Sequence, residues 1–317
     1  MLRRIVLAAV GSVALAAAAH AQSGQTRIIV AFAPGGPVDS IARIIANPLA
    51  KELGRNVIVE NKPGANGAIG AQEVMKSASD GTTLWITSVG AAAINPSLYE
   101  KLAYDMVKDF SPVSVVVNNV ELLVINPNDK ASNATEFVAN ARAAKDTPMA
   151  SSGIGSIPHL AIEQLADATG AKLLHVPYKG AAPAISDVMG GQVSGFFGDV
   201  PGLIGHVKSG KLKPIGLASA TRHPALPEVK TFEEQGLKGI DTNNWYAIFV
   251  SSKTSPEIVD ALNKALKTVL ESPETRDKLI ALGAEPTPST PGQLATLLKN
   301  DTEKWARLIK AKGIKGE

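Results

Sequence analysis

The chain has 317 residues, 45% of them hydrophobic, with 32 basic residues against 29 acidic ones, few aromatics and no cysteine. That length exceeds what one compact core usually holds, so two domains are expected. The near balance of charge gives no broad basic surface and argues against nucleic acid as a partner. The lack of cysteine leaves no disulfide framework and no thiol chemistry, and aromatics at 4% argue against a sugar-stacking site.

Arg3 and Arg4 precede an apolar run from Ile5 to Ala18, and Ala19-His20-Ala21 forms an A-x-A site before Gln22. This pattern reads as a secretory signal peptide over residues 1–21, cleaved after Ala21, which places the product in a periplasm. The twin arginines are also compatible with the folded-export route. Because the signal takes two basic residues and no acid, 30 basic residues would face 29 acidic ones in the exported form. No later apolar run approaches the length of a membrane-spanning helix.

Ile28 to Phe32 is short, β-branched and bounded by turn residues, as a buried strand should be. It breaks at Pro34-Gly35-Gly36-Pro37, after which Ile41, Ile44, Ile45 and Leu49 recur at helical spacing. Pro37 suits a first helical position, and Asp39 puts an acid in the first turn. Strands follow at Asn56 to Asn61 and Thr82 to Thr87, with a helix near Gly70 to Ala78 between them. Pro112 to Asn126 is a long β-rich run, then come a helix near Ala134 to Ala144 and a short strand at Pro148 to Ser151. "KLLHVPY", a helix from Pro183, "SGFFGD", "KLKPIGLAS" and "WYAIFVSSK" continue the alternation. Ser255-Pro256 and Ser272-Pro273 start helices in the tail. Alternating β and α elements predict an α/β protein with mainly parallel sheets flanked by helices. No single linker divides the chain. The β-rich runs at Val113 to Ile125 and Trp245 to Ser251 read as crossings between lobes. Lobe 1 would then comprise 22–122 and 247–317, and lobe 2 would comprise 123–246.

Enzymatic templates fail one by one. His159, His175, His206 and His223 lack metal-ligand spacing. "GHVKSGKL" has P-loop spacing but puts Leu212 where a hydroxyl should hold Mg²⁺. "GIGSIP" puts Pro158 in place of the third glycine of a dinucleotide fingerprint, and no G-x-S-x-G elbow occurs. No cofactor and no metal are expected.

What recurs is a strand that ends in a Gly- and Ser-rich loop and restarts as a helix. Besides the first, these loops are Thr87-Ser88 through Gly90, Ser151-Ser152-Gly153-Ile154-Gly155 before the N-cap candidate Ser156, and Tyr178-Lys179-Gly180. Glycine allows close backbone approach, and free N–H groups with Ser/Thr hydroxyls donate to oxygens. In doubly wound sheets such loops lie at the carboxyl ends of strands, where ligands bind. Two lobes bearing them would form two donor-rich walls suited to a small carboxylate.

At these residues the chain also resembles a known family. "FAPGGPVDSIAR", "VENKPGANGAIGA", "SASDGTTLWIT", "SSGIGSIPHL" and "VPYKGAAPAISDVMGGQVSGFFGD" together resemble the tripartite tricarboxylate transporter substrate-binding proteins of the Bug type. The resemblance implies a two-lobed periplasmic binding protein, type II-like, that closes on a ligand between its lobes. It implies a di- or tricarboxylate, aromatic acid or acidic amino acid as ligand, integral membrane transporter subunits as partners, and a monomer. Carried over by motif, the ligand-binding residues would be Phe32, Pro34, Gly35, Gly36 and Asp39; Thr87 and Ser88; and Ser151, Ser152, Gly153, Gly155, Ser156 and His159. Asp199, closing "GFFGD", is either a cleft residue or a helix cap before Pro201. Two alternatives remain: a ligand sensor signalling to a membrane kinase, and a cofactor-free exported hydrolase using Asp39, His159 or Asp199.

Overall fold

Strand β1 (Thr26–Val30) leads through the glycine break into helix α1 (Pro37–Leu53), whose first position is Pro37 and whose end is Gly54 in the left-handed region. The computed structural model describes residues 24–316; the signal peptide read at residues 1–21 lies outside the described residues. Next come β2 (Val57–Asn61), α2 (Ala68–Lys76) and β3 (Thr83–Ser88). Beyond β3 the expected loop through Gly90 is instead a buried π-helical turn, Gly90–Ile94, followed by α3 (Asn95–Leu98) and α4 (Met106–Asp109).

The long β-rich run is one strand, β4 (Phe110–Ile125). The chain continues through α5 (Ala134–Ala143), β5 (Thr147–Ser151), α6 (Ile157–Thr169), β6 (Leu173–Pro177), α7 (Ala181–Met189), β7 (Gly195–Asp199), α8 (Val200–Lys208) and β8 (Lys213–Leu217). It then returns by β9 (Asn243–Ser251) and closes with α9 (Pro256–Glu271), α10 (Pro273–Ala281), the short β10 (Glu285–Pro286) and α11 (Pro291–Lys312). Helix α7 starts two residues before Pro183, because a proline within the first turn loses no intrahelical bond.

The strands run in the order β2-β1-β3-β9-β4-β7-β5-β6, with β8 and β10 also on β4. β4 pairs with β9 from Phe110 to Val120, then with β7 and β8 from Glu121 to Ile125. One strand thus belongs to both halves of the molecule. The parallel order holds in the outer three strands of each half, β2-β1-β3 and β6-β5-β7. It gives way to antiparallel pairing at β4 and β9, which enter each half from the other.

Both faces of each half are covered, which explains the nearly continuous apolar runs. In the first half Ile28, Ile86, Val117 and Ile248 pack under α1 and α9, while Trp85, Trp245 and Phe249 face α11. Trp245 donates its indole N–H to Asp301 at 2.6 Å and so ties that helix to the sheet. In the second half Leu123, Met149 and Phe197 pack with α5 and α6, and Leu122, Ala150 and Phe196 with α7 and α8. The carboxyl ends of β1, β3, β5 and β6 carry the four Gly- and Ser-rich segments that the sequence singles out, and β7 ends at Asp199.

Candidate functional site

The first wall is the break after β1. Asp39, buried in the first turn of α1, accepts from the Gly35 N–H at 2.9 Å, Arg43 Nε at 3.0 Å and Asn61 Nδ2 at 2.9 Å. Asn61 also donates to the Phe32 carbonyl at 3.0 Å. Burial would raise the Asp39 pKa, but Arg43, the Gly35 N–H and Asn61 together hold it below the ordinary carboxylate value. Its carboxylate is therefore occupied in shaping the loop. Gly35 has φ +79°, a conformation that favours glycine. Gly36 occupies the N-cap position and supplies no side-chain bond to the first turn of α1. Phe32 and Gly36 are half-buried; Pro34 and Gly35 are exposed.

Beside it, at the end of β3, Thr87 and Ser88 are buried. Ser88 Oγ accepts from the Gly90 N–H at 3.3 Å, and the Thr87 hydroxyl has no partner. Asn66, with φ +45°, donates to Asn95 Oδ1 at 2.9 Å and to the Gly155 carbonyl at 3.4 Å. The Lys62-Pro63-Gly64 turn thus leads to a residue that bridges the two walls.

The second wall is the loop after β5. Ser151 Oγ accepts from the Gly153 N–H at 3.1 Å, and Ser156 caps α6 while donating to the Gly153 carbonyl at 2.7 Å. The Gly155 N–H donates to His159 Nδ1 at 3.0 Å, and Gly153 and Gly155 both have positive φ. Ser152 is half-buried, and its hydroxyl makes no hydrogen bond among the described residues. His159 stacks on His175 with ring centres 3.7 Å apart and planes 9° from parallel, and His175 Nε2 lies 2.6 Å from Ser151 Oγ. Burial depresses the pKa of His159 to about 3, helped by His175, and that of His175 to about 4. These rings stand behind the loop as a neutral brace. Lys179 of the following strand–helix loop is exposed.

Asp199 ends β7, where β4 and β9 meet that strand at the join of the two halves. It occupies the N-cap position of α8 yet makes no capping bond, so the helix-cap reading does not hold. Asn244 Nδ2 donates to its Oδ1 at 2.7 Å, and the Tyr246 hydroxyl donates to its Oδ2. Glu121, its register partner on β4, is fully buried and also accepts from Asn244, at 3.3 Å. Burial, reinforced by Asp199, pushes the Glu121 pKa well above the carboxylate range. Burial raises the Asp199 pKa too, although hydrogen bonds from Tyr246 and Asn244 oppose it, so the two acids titrate as a pair above the ordinary carboxylate range.

The two halves touch around this space. A Cβ placed on Gly202 of α8 would lie 3.0 Å from Pro37 Cγ, and one on Gly155 would meet Leu98. Lys312 of α11 pairs with Glu163, at 3.5 Å, and with Asp167, both on α6. The loops after β1 and β5 therefore come within contact of the opposite half, at Pro37 and at Gly155. The structure assigns Asp39 and His159 to holding the loops. It adds Asn66, Glu121, His175, Asn244 and Tyr246, which motif reading missed. A separate groove of about 720 Å³ lies among α1, α9 and α10 and contains none of them.

Two α/β halves joined by shared strands, with glycine-rich loops facing across the junction, define the class of two-lobed periplasmic binding proteins. The profile of the tripartite tricarboxylate transporter family receptor matches residues 41–314, and the chain belongs to that family. It is 33% identical over 313 residues to the protein BugT of Bordetella pertussis, covering 98% of this chain and 96% of that one. A protein of R. palustris solved with adipate is 30% identical and superposes with a TM-score of 0.88 over 92% of this chain and 98% of that one. MatC of Rhodopseudomonas palustris, solved with bound malate, is 30% identical with a TM-score of 0.84 over 90% of this chain and 99% of that one.

The histidine stack predicts a pH dependence. Both folded pKa values lie below the ordinary 6.5, so the unfolded chain binds protons first. Stability is full above about pH 6.5 and falls as pH drops toward about 4. In His159→Gln the loss between those pH values should be smaller than in the parent, as read by urea unfolding at each pH.

Proposed function

We propose that this protein is a periplasmic receptor that captures a small carboxylate between its two lobes and delivers it to the membrane subunits of a tripartite transporter. The observation that carries this reading is the meeting of two glycine-rich walls whose own side chains are committed to shaping them. Asp39 bonds the Gly35 N–H and Ser151 the Gly153 N–H, which leaves the start of α1 and the Ser152 hydroxyl as donors toward the cleft. A carboxylate meets its natural partners there, N–H groups and a helix N-terminus. The acids bound by the adipate and malate relatives are dicarboxylates of six and four carbons, which supports the same class for this chain.

We place the pivots of lobe closure where β4 passes from β9 to β7, between Val120 and Glu121, and where β9 begins at Asn243. One lobe then comprises both ends of the chain and the other its middle. A signal peptide at residues 1–21 fits this role, as does the absence of any helix among the described residues long and apolar enough to cross a membrane.

The Ser151–His175 contact favours one other reading, because a serine beside a histidine is the start of a nucleophile and base. Ser151 is fully buried, however, and no carboxylate among the described residues bonds to His175. We therefore assign the pair to bracing the loop, and turnover of a bound ester would reverse that assignment.

The test is thermal unfolding of the exported protein, freed of co-purified ligand, against mono-, di- and tricarboxylates and aromatic acids. An acid at a hundred times its Kd should add about 2.7 kcal/mol, or roughly 5–10 °C for a protein of this size. No shift with any acid would overturn the proposal. Gly202→Leu adds bulk on a helix at an ordinary φ and meets Pro37 across the lobes. It should weaken binding about ten-fold or more while leaving the unliganded melting temperature within about 4 °C.

A further inference from the structure

Glu121 and Asp199 are register partners where β4 pairs with β7. Among the described residues no lysine, arginine or histidine lies within ion-pair distance of Glu121 or Asp199. Asp199 accepts from two donors, the Tyr246 hydroxyl and Asn244 Nδ2. A carboxylate offers about four acceptor positions, so these two donors leave room for another. Asp199 is also the one member of the group with open surface; Glu121, Asn244 and Tyr246 are buried.

A second observation comes from Asn119. It is fully buried, sits opposite Asn244 in the β4–β9 register and lies on the sheet face that carries Glu121. Neither atom of its amide has a partner, and Glu121 Oε2 and Asn244 Oδ1 are also unpartnered. Buried polar atoms left unbonded are costly, so their concentration here marks a site that a further polar group completes. A second carboxylate beside Asp199 would add like charge to an anion that no cation balances. A group that donates hydrogen bonds meets the remaining acceptor position instead.

We propose that Asp199, backed by Glu121, Asn119, Asn244 and Tyr246, forms a subsite for an ammonium or hydroxyl group, so that the acid this receptor takes carries an amino or hydroxyl substituent beside its carboxylate. This rests on the carboxylate-receptor reading above. The Gly35 and Ser151 walls then hold the carboxylate and the Asp199 subsite selects among acids of similar length.

Calorimetric titration of the exported protein tests this with matched probes: succinate, malate and aspartate; adipate and 2-aminoadipate; benzoate and 4-hydroxybenzoate. In the series that fits the cleft, the substituted acid should bind about ten-fold tighter or more than the plain one. Preference for the amine over the hydroxyl within that series identifies an ammonium subsite, and the reverse a hydroxyl subsite. Asp199→Asn should abolish the ratio, whereas Glu121→Gln, which keeps the size and polarity of the neighbour and leaves the Asp199 carboxylate in place, should preserve it. If Asp199→Asn does not fold, the parent ratios and Glu121→Gln decide. Plain acids binding as well as their substituted partners would overturn the subsite and leave the carboxylate reading intact. No binding by any acid would overturn both.

Discussion

One strand shared by two sheets is the constraint on which the rest of the molecule depends. β4 spans sixteen residues, and its first part belongs to one half and its last five residues to the other. Because most of its residues are buried, on both faces, neither half can complete its core without it. Its change of partner brings β7 and β3 near each other, with Asp199 and Ser88 both beside Tyr246 of β9. A rotation of the lobes about that point moves the loops far more than it disturbs the cores.

The site built on this frame meets charge with dipoles. The ionisable groups nearest the loops are already engaged: Asp39 with Arg43 and the loop N–H groups, and Glu163 with Lys312. The histidines behind the second loop are held neutral by burial. A closed cleft lined in this way needs no charged side chain to move when ligand enters. On the proposed reading its selectivity would depend on the few groups that differ from backbone, the Glu121–Asp199 pair among them.

Local chemistry made much of this legible in the sequence. Pro37, Ser156, Ser255-Pro256 and Ser272-Pro273 announced helix starts because capping is decided within one turn of chain. The glycine loops were legible because each follows an apolar strand and precedes a helical pattern. What escaped depended on contacts distant in sequence. The antiparallel entry of β4 and β9 follows from their crossing between halves, which period-two patterning does not encode. The stacking of His159 on His175 joins a helix to a neighbouring strand, and neither residue signals the other. Glu121 left one clue: a lone acid inside the apolar run "NNVELLVIN", where burial of an unpaired charge demands a partner.

The central claim is that both loops contact one ligand at once. Hydrogen exchange of the exported protein, with and without the acid that stabilises it most, tests this directly. The account predicts slowed exchange at residues 33–39 and 151–156 together, with the α1–α9–α10 groove unchanged. Protection confined to one loop, or appearing in that groove instead, would contradict it.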